Sequence, residues 1–276
     1  MARQDLPKRK KTANKSTGGK CLIVAGSKGM WGAAVLAASA AYRSGAGYVY
    51  LKTQSARFPI GKNPDFLSLN KSINFLSKKT IDSKLVFNAI AIGPGLSKKS
   101  FISDWIKKLA KIAKISVVVD ATALNILANW KGPLPKIPPN WILTPHEGEM
   151  ARLLGETVNY VRANRMQALA TAQKKYGCIV LLKGHQTLVT DGHIQFTIPS
   201  GNSALAKAGT GDVLTGIITG LLAQGLDSIS ASSLAAYIHG LAADIWIEEG
   251  NDHLSLMASD LLNLLPKAIA RLRTKK

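Results

Sequence analysis

The feature that most restricts this chain is a rhythm in which short apolar runs end in glycine-punctuated turns and are followed by helical patterns. Cys21-Leu22-Ile23-Val24-Ala25 is followed by Gly26-Ser27-Lys28-Gly29-Met30-Trp31-Gly32, then by an alanine-rich segment, Ala33 to Arg43, that ends at Ser44-Gly45. Tyr48-Val49-Tyr50-Leu51 is the next run with strand composition. A strand, loop, helix and strand within about 30 residues form a βαβ unit, which predicts a parallel sheet with right-handed crossovers. Val86 to Ile92, the loop Gly93-Pro94-Gly95-Leu96-Ser97 and the helical pattern from Phe101 repeat the unit, and Ser116 to Val119 closes on Asp120. The expected fold is therefore α/β: a doubly wound, mostly parallel sheet with helices on both faces. Such sheets bind ligands beyond the carboxyl ends of their strands, so function is to be sought in these loops.

Length and composition narrow the field. A chain of 276 residues with 46% apolar content can bury one large core, and it shows neither an internal repeat nor an internal linker. Residues 1–17 lack periodicity and are rich in Lys, Arg, Ser and Thr, which predicts a disordered basic tail ahead of a single domain over 18–276. No apolar run approaches the roughly 18 residues of a membrane span and no apolar leader opens the chain, so a cytoplasmic protein is expected. Cys21 and Cys178 lie in apolar, strand-like runs and are expected to be buried thiols without a role. The net charge of +20 favours anionic partners. Seven of the basic residues fall within the first 20, however, and no aromatic residues interleave with the lysines, so a specific nucleic-acid partner is not expected.

The chemistry concentrates in Lys207-Ala208-Gly209-Thr210-Gly211-Asp212. Val213, Ile217 and Leu221, with Leu214, Ile218 and Leu222, recur at helical spacing, so a helix is predicted to begin at or just after Asp212. A Gly-Thr-Gly turn at a helix mouth offers free N–H groups and the positive end of the dipole to an anion such as phosphate. Asp212 is then either the N-cap or a general base that deprotonates a substrate hydroxyl. No Gly-x-x-x-x-Gly-Lys-Ser/Thr sequence is present, which excludes a P-loop.

Other loops carry candidates of their own. Asp120 ends a buried strand and reads as an N-cap or as a site residue. In Thr144-Pro145-His146-Glu147-Gly148-Glu149, Thr144 is expected to be an N-cap, Pro145 the first helical residue and Glu147 the partner in a capping box. That leaves His146 and Glu149, three apart on one face, either as a solvated pair or as part of a site. Lys183-Gly184-His185-Gln186-Thr187 follows the strand Cys178 to Leu182 and precedes a hairpin turning at Asp191-Gly192. Asn164 to Lys174, Ile229 to Glu249 and Ala258 to Arg271 are predicted helices, and His239 is expected to be a packed core residue.

Taken together, Ala25-Gly26-Ser27 with Gly32-Ala33, Gly93-Pro94-Gly95, Thr144-Pro145-His146-x-Gly148-Glu149, Lys183-Gly184-x-Gln186-Thr187 and Gly209-Thr210-Gly211-Asp212-Val213-Leu214-Thr215-Gly216 resemble the ADP/ATP-dependent NAD(P)H-hydrate dehydratases of the ribokinase-like superfamily. The resemblance runs in order from about Lys20 to Leu272. It implies an enzyme that repairs hydrated NADH or NADPH by phosphorylating the ring hydroxyl with ADP or ATP, after which phosphate is lost. By motif, Asp212 is then the base, and Gly209, Thr210 and Gly211 form the anion hole. Ala33, Gly95 and His146 line the hydrate site with Asp212. Lys183, Gly184, His185, Gln186 and Thr187 hold the adenine nucleotide with Gly211, and Glu149 organises Mg²⁺ through water. The resemblance further implies a homo-oligomer, with a tetramer as the expected form. Many relatives carry an N-terminal epimerase domain for which this chain leaves no room, so an epimerase is expected as a separate protein or not at all.

The departures from the family pattern are small. Ala208-Gly209 replaces a frequent Gly-Gly pair, and Asp120-Ala121-Thr122-Ala123-Leu124-Asn125 replaces a common Asp-Ala-Asp-Ala-Leu-Asn. Two other readings stay open at this point: a ribokinase-like kinase acting on a vitamin precursor or sugar hydroxyl, and a non-catalytic basic binding protein.

Overall fold

The computed structural model describes residues 6–54, 65, 67–69, 86–112 and 114–274. The runs of Val, Ile and Leu become strands because such side chains pack well on a pleated surface covered from both sides. Among the described residues these are β1 (Lys20–Val24), β2 (Tyr48–Lys52), β3 (Leu67–Ser68), β4 (Ala89–Ile92), β5 (Ser116–Val119), β6 (Ile142–Leu143), β7 (Ile179–Leu182), β8 (Leu188–Thr190) and β9 (Gln195–Thr197). The helices are α1 (Trp31–Arg43), α2 (Lys99–Leu109), α3 (Thr122–Ala128), α4 (Glu147–Leu154), α5 (Val158–Ala163), α6 (Arg165–Tyr176), α7 (Thr210–Ala223), α8 (Ser228–Glu248) and α9 (Ala258–Thr274).

The strands form one sheet in the order β3-β2-β1-β4-β5-β6-β7-β8-β9. Every pairing from β3 to β7 is parallel, and β8 and β9 add an antiparallel hairpin at one edge. The doubly wound α/β fold expected from the sequence is the one observed. Alternation along β1 divides the core: Cys21 and Ile23 join the layer of α1, α7, α8 and α9, while Leu22 and Val24 join the layer of α2 and α3.

Helix α7 lies unusually close to α1. A Cβ at Gly216 would sit 2.1 Å from the Ala37 carbonyl oxygen, and one at Gly220 would sit 2.5 Å from Ser44 Oγ. This contact fixes the axis of α7 and carries its first turn to the edge of the sheet where Asp120 and Lys183 emerge.

Two local expectations are corrected. Residues 6–17, expected as part of a disordered tail, lie against the body: Leu6 packs on the core, Arg9 donates to the Gly45 carbonyl at 2.9 Å, and Arg273 donates to the Pro7 carbonyl at 2.8 Å. Composition hides such anchoring, because it runs through backbone carbonyls and a single leucine; residues 1–5 lie outside the described residues. The helix expected over Asn164 to Lys174 is observed as α6, Arg165–Tyr176, and a separate short helix, α5, precedes it and meets it at Asn164. Helix α7 begins at Thr210, ahead of Asp212. No helix among the described residues is long and apolar enough to cross a membrane.

Candidate active site

The loops after β1, β4, β5, β6 and β7 leave the same edge of the sheet, and the one after β5 supplies the anchor. Asp120 is 2% exposed. Its Oδ1 accepts from Lys183 Nζ at 2.8 Å and its Oδ2 accepts from Thr215 Oγ1 on α7 at 2.7 Å. The N-cap reading of Asp120 is wrong: α3 is preceded by Ala121, in the left-handed region at φ 49°, with no side-chain cap. The carboxylate is turned inward to the lysine and threonine instead.

Lys183 Nζ also lies 3.6 Å from Glu149 Oε2, and a Cβ at Gly211 would sit 3.4 Å from it. Burial works against its charge, but Asp120 first, then Glu149 and Asp212, hold the ammonium above its ordinary range. It therefore stays protonated among three acidic side chains.

At the mouth of α7 the N-cap is Gly209, at φ 90°, and no side chain caps the helix. The capping reading of Asp212 is thereby overturned, since Asp212 is the third helical residue. Thr210 Oγ1 donates to the Leu205 and Lys207 carbonyls, both at 2.9 Å, which fixes the turn from behind. A helix start leaves its first N–H groups without intrahelical acceptors, here those of Gly211 and Asp212, and these face any anion that docks. The Asp212 carboxyl is pushed up to about 7, by burial first and by Asp120 and Glu149 besides, with Lys183 pulling the other way. A carboxylate poised there suits general-base chemistry at neutral pH.

The turn after β6 also departs from expectation. His146, and not Thr144, caps α4: its Nδ1 accepts from the backbone N–H groups of Gly148 at 3.0 Å and Glu149 at 3.3 Å, while Glu149 Oε2 accepts from the His146 N–H at 2.9 Å. Thr144 donates to the Val119 carbonyl, and Glu147 pairs with Arg162 at 2.8 Å and Arg165 at 2.7 Å. Burial works against the Glu147 carboxylate, yet the two arginines hold it below its ordinary range. Glu149 is 5% exposed and so is not half of a solvated pair, although the His146 ring is half exposed.

A cavity of about 520 Å³ opens beside this cluster. The whole loop Lys183–Thr187 lines it, together with Thr210 and Gly211, so the residues expected to hold a nucleotide are brought together. Asp212, Gly209, Ala33, Gly95, His146 and Glu149 are not among its lining residues. Ala33 and Gly95 instead meet each other: Gly95 has φ 61°, and a Cβ there would lie 2.9 Å from Ala33 Cβ. The neighbouring Gly93 backs directly onto the Asp120 backbone, since a Cβ there would lie 1.8 Å from its carbonyl oxygen. Lys183 thus belongs both to the cavity and to the carboxylate cluster.

Sequence reasoning missed the far wall of the cavity. Asp244 on α8 accepts from Gly201 N at 2.9 Å and Asn202 Nδ2 at 3.0 Å, which fixes the segment from Ser200 to Leu205. His239 is buried as expected, but it also lines the cavity, and its Nε2–H donates to the Thr210 carbonyl at 2.9 Å. Burial pulls its pKa down to about 4, so the ring is neutral at physiological pH. The two thiols are buried and free, pushed up to about 12 by burial, and are inert. Among the described residues, no group of three or more His, Cys, Asp or Glu side chains could hold a metal ion.

Comparison with known proteins gives this geometry a context. The Carb_kinase family model, described as NAD(P)H-hydrate dehydratase, matches residues 21–267. A bifunctional NAD(P)H-hydrate repair enzyme, Nnr, of Coxiella burnetii is 40% identical over 262 residues, covering 93% of this chain and 51% of that protein, so the chain spans about half of its length. The ADP-dependent (S)-NAD(P)H-hydrate dehydratase of Bacillus subtilis is 35% identical over 276 residues, covering 98% of this chain and 95% of that one. A crystal structure of the ADP/ATP-dependent NAD(P)H-hydrate dehydratase from Bacillus subtilis, co-crystallised with ATP/Mg²⁺, superposes with a TM-score of 0.85 at 34% identity, covering 98% of this chain and 95% of that one. The sheet and its helices are thus of the ribokinase-like kind expected from the sequence.

Proposed function

The chain belongs to the NAD(P)H-hydrate dehydratase family, and from that membership we propose that it dehydrates hydrated NADH or NADPH at the expense of ADP or ATP. The observation that supports this best is Asp212, a partly buried carboxyl poised at about 7 in the first turn of a helix without a side-chain cap, whose neighbour Gly211 lines a nucleotide-sized cavity. In the proposed reaction Asp212 takes the proton of the ring hydroxyl as that oxygen attacks the terminal phosphorus. The bond to the leaving nucleotide breaks, and the Gly211 and Asp212 N–H groups, with Lys183, meet the charge on the transferred group. Phosphate then leaves the ring, and loss of a proton from the adjoining carbon restores the double bond.

In this reading the nucleotide lies along Lys183–Thr187, and the hydrate approaches from the loops of Ala33, Gly95 and His146. Among the described residues the side chains do not by themselves form a metal cage. Mg²⁺ would enter with the nucleotide phosphates and offset their charge, and Glu149 would be the residue to hold it, through water. A cytoplasmic homo-oligomer, a tetramer in its expected form, with any epimerase carried on a separate protein or absent, completes the proposal.

The test is turnover by purified protein supplied with Mg²⁺, hydrated NADH or NADPH, and ADP or ATP in turn. Return of the reduced-nicotinamide absorbance with one phosphate released per turnover is the expected result. Accumulation of a phosphorylated organic product would instead mark a kinase, and no turnover with either nucleotide would sink the proposal.

A further inference from the structure

Lys183 poses a problem for any reaction that uses Asp212 as a base. Its ammonium sits in a buried cluster with three carboxylates, and an ion pair closed onto Asp212 would occupy the lone pair that must receive the proton. Among the described residues the lysine pairs with Asp120 at 2.8 Å and lies 3.6 Å from Glu149, and it forms no ion pair with Asp212.

We propose that Asp120 is a positioning residue: fixed by Thr215, it holds the Lys183 ammonium back from Asp212, so that the base stays unpaired while the lysine serves the phosphates. The proposal rests on the functional reading above. Its physical basis is the way both oxygens of Asp120 are used. Thr215 Oγ1 donates to Oδ2 at 2.7 Å and so sets the carboxylate plane, which leaves Oδ1 aimed at Lys183 at 2.8 Å. Thr215 and Asp212 lie on the same helix, α7, so the clamp and the base share one rigid element. His239 adds no competing charge, because it is neutral and committed to the Thr210 carbonyl. In a low-dielectric cluster an ammonium released from one carboxylate moves to another, since leaving it unpaired is costly.

The decisive variant is Asp120→Asn, which keeps size and loses charge. A crystal structure of it is expected to show Lys183 Nζ within ion-pair distance of Asp212; Nζ remaining on residue 120 would overturn the proposal, whatever the activity. In the assay, kcat is expected to fall at least about tenfold while ADP affinity changes less than about threefold. Because Asp120 acts through Lys183, adding Asp120→Asn to Lys183→Met should cost less than about a further twofold in kcat. The double variant removes both charges, so neither is left buried alone. A merely structural Asp120 would instead multiply the two losses. Thr215→Ser should retain more turnover than Thr215→Val, since only serine keeps the bond to Oδ2; equal losses would count against the clamp. Absence of turnover in the parent protein would refute the functional reading, and the crystal structure would still decide the placement of the lysine.

Discussion

The two ends of α7 meet opposite physical demands. From Gly216 to Ala223 the helix is buried and dry, pressed onto α1 with no space for a methyl group at Gly216 or Gly220. Its first turn carries a capping glycine in the left-handed region and a partly buried carboxyl, with the neighbouring lysine already bonded to Asp120. The lesson is that the shaft supplies the rigidity on which the mouth depends: an electrostatically costly turn persists only where the surrounding packing fixes it.

If that division holds, substitutions at the mouth should change turnover and those along the shaft should change stability. Asp212→Asn should lose at least roughly a hundredfold in kcat, within the 10² to 10⁴ typical of a positioned base. Its stability should not fall, and above pH 7 its melting temperature should rise. The sign follows from the pKa: the native carboxyl is pushed up to about 7 from 3.8, so the folded state binds the extra proton, and stability is lost as pH rises through that window. Normal turnover with lower stability would erase the distinction between the two ends.

Lys183→Met should be the exception at the mouth that costs stability. It leaves Asp120 buried without its cation, a loss of about 3–5 kcal/mol where one partner of a buried pair is removed, and it should also weaken ADP binding by calorimetry. Chemical denaturation measures the first effect, and an unchanged midpoint would show that the pair is solvated in solution. Along the shaft, Gly216→Ala should destabilise by about 1–3 kcal/mol through overpacking, with kcat nearly unchanged in the fraction that remains folded. A selective loss of kcat there would mean that the shaft tunes the mouth. The smallest effect is that of pH. With Asp212 titrating near 7, kcat should fall about tenfold per unit below that pH and level off above it, as read from a profile taken at saturating nucleotide.

How much of this could be read in the sequence follows the same division. Periodicity and branched residues made the sheet and its helices visible, because burial selects those residue types wherever an element is covered. The Gly-Thr-Gly-Asp turn was visible because few structural roles require two glycines at a helix mouth. The Asp120–Lys183–Thr215 clamp was not, since its members lie 63 and 95 residues apart and only the crossovers of the sheet bring them together. Asp120 did stand at the carboxyl end of a buried strand, which was signal enough to suspect it. The capping box was assigned to the wrong pair because Thr and Glu are the usual choices, and a histidine ring nitrogen fills the same role only when the chain turns as it does here.

The same ring nitrogen determines what His146 can offer a ligand. With Nδ1 committed to two backbone N–H groups, the proton resides on Nε2. The half-exposed ring, whose Nε2 lies 3.6 Å from Glu149 Oε2, is therefore a donor only. It can welcome a carbonyl, a ribose oxygen or a phosphate, and it has nothing to give a group that itself needs an acceptor. A second proton on that ring would cost the helix its cap, so the orientation of an incoming molecule is tied to the integrity of α4.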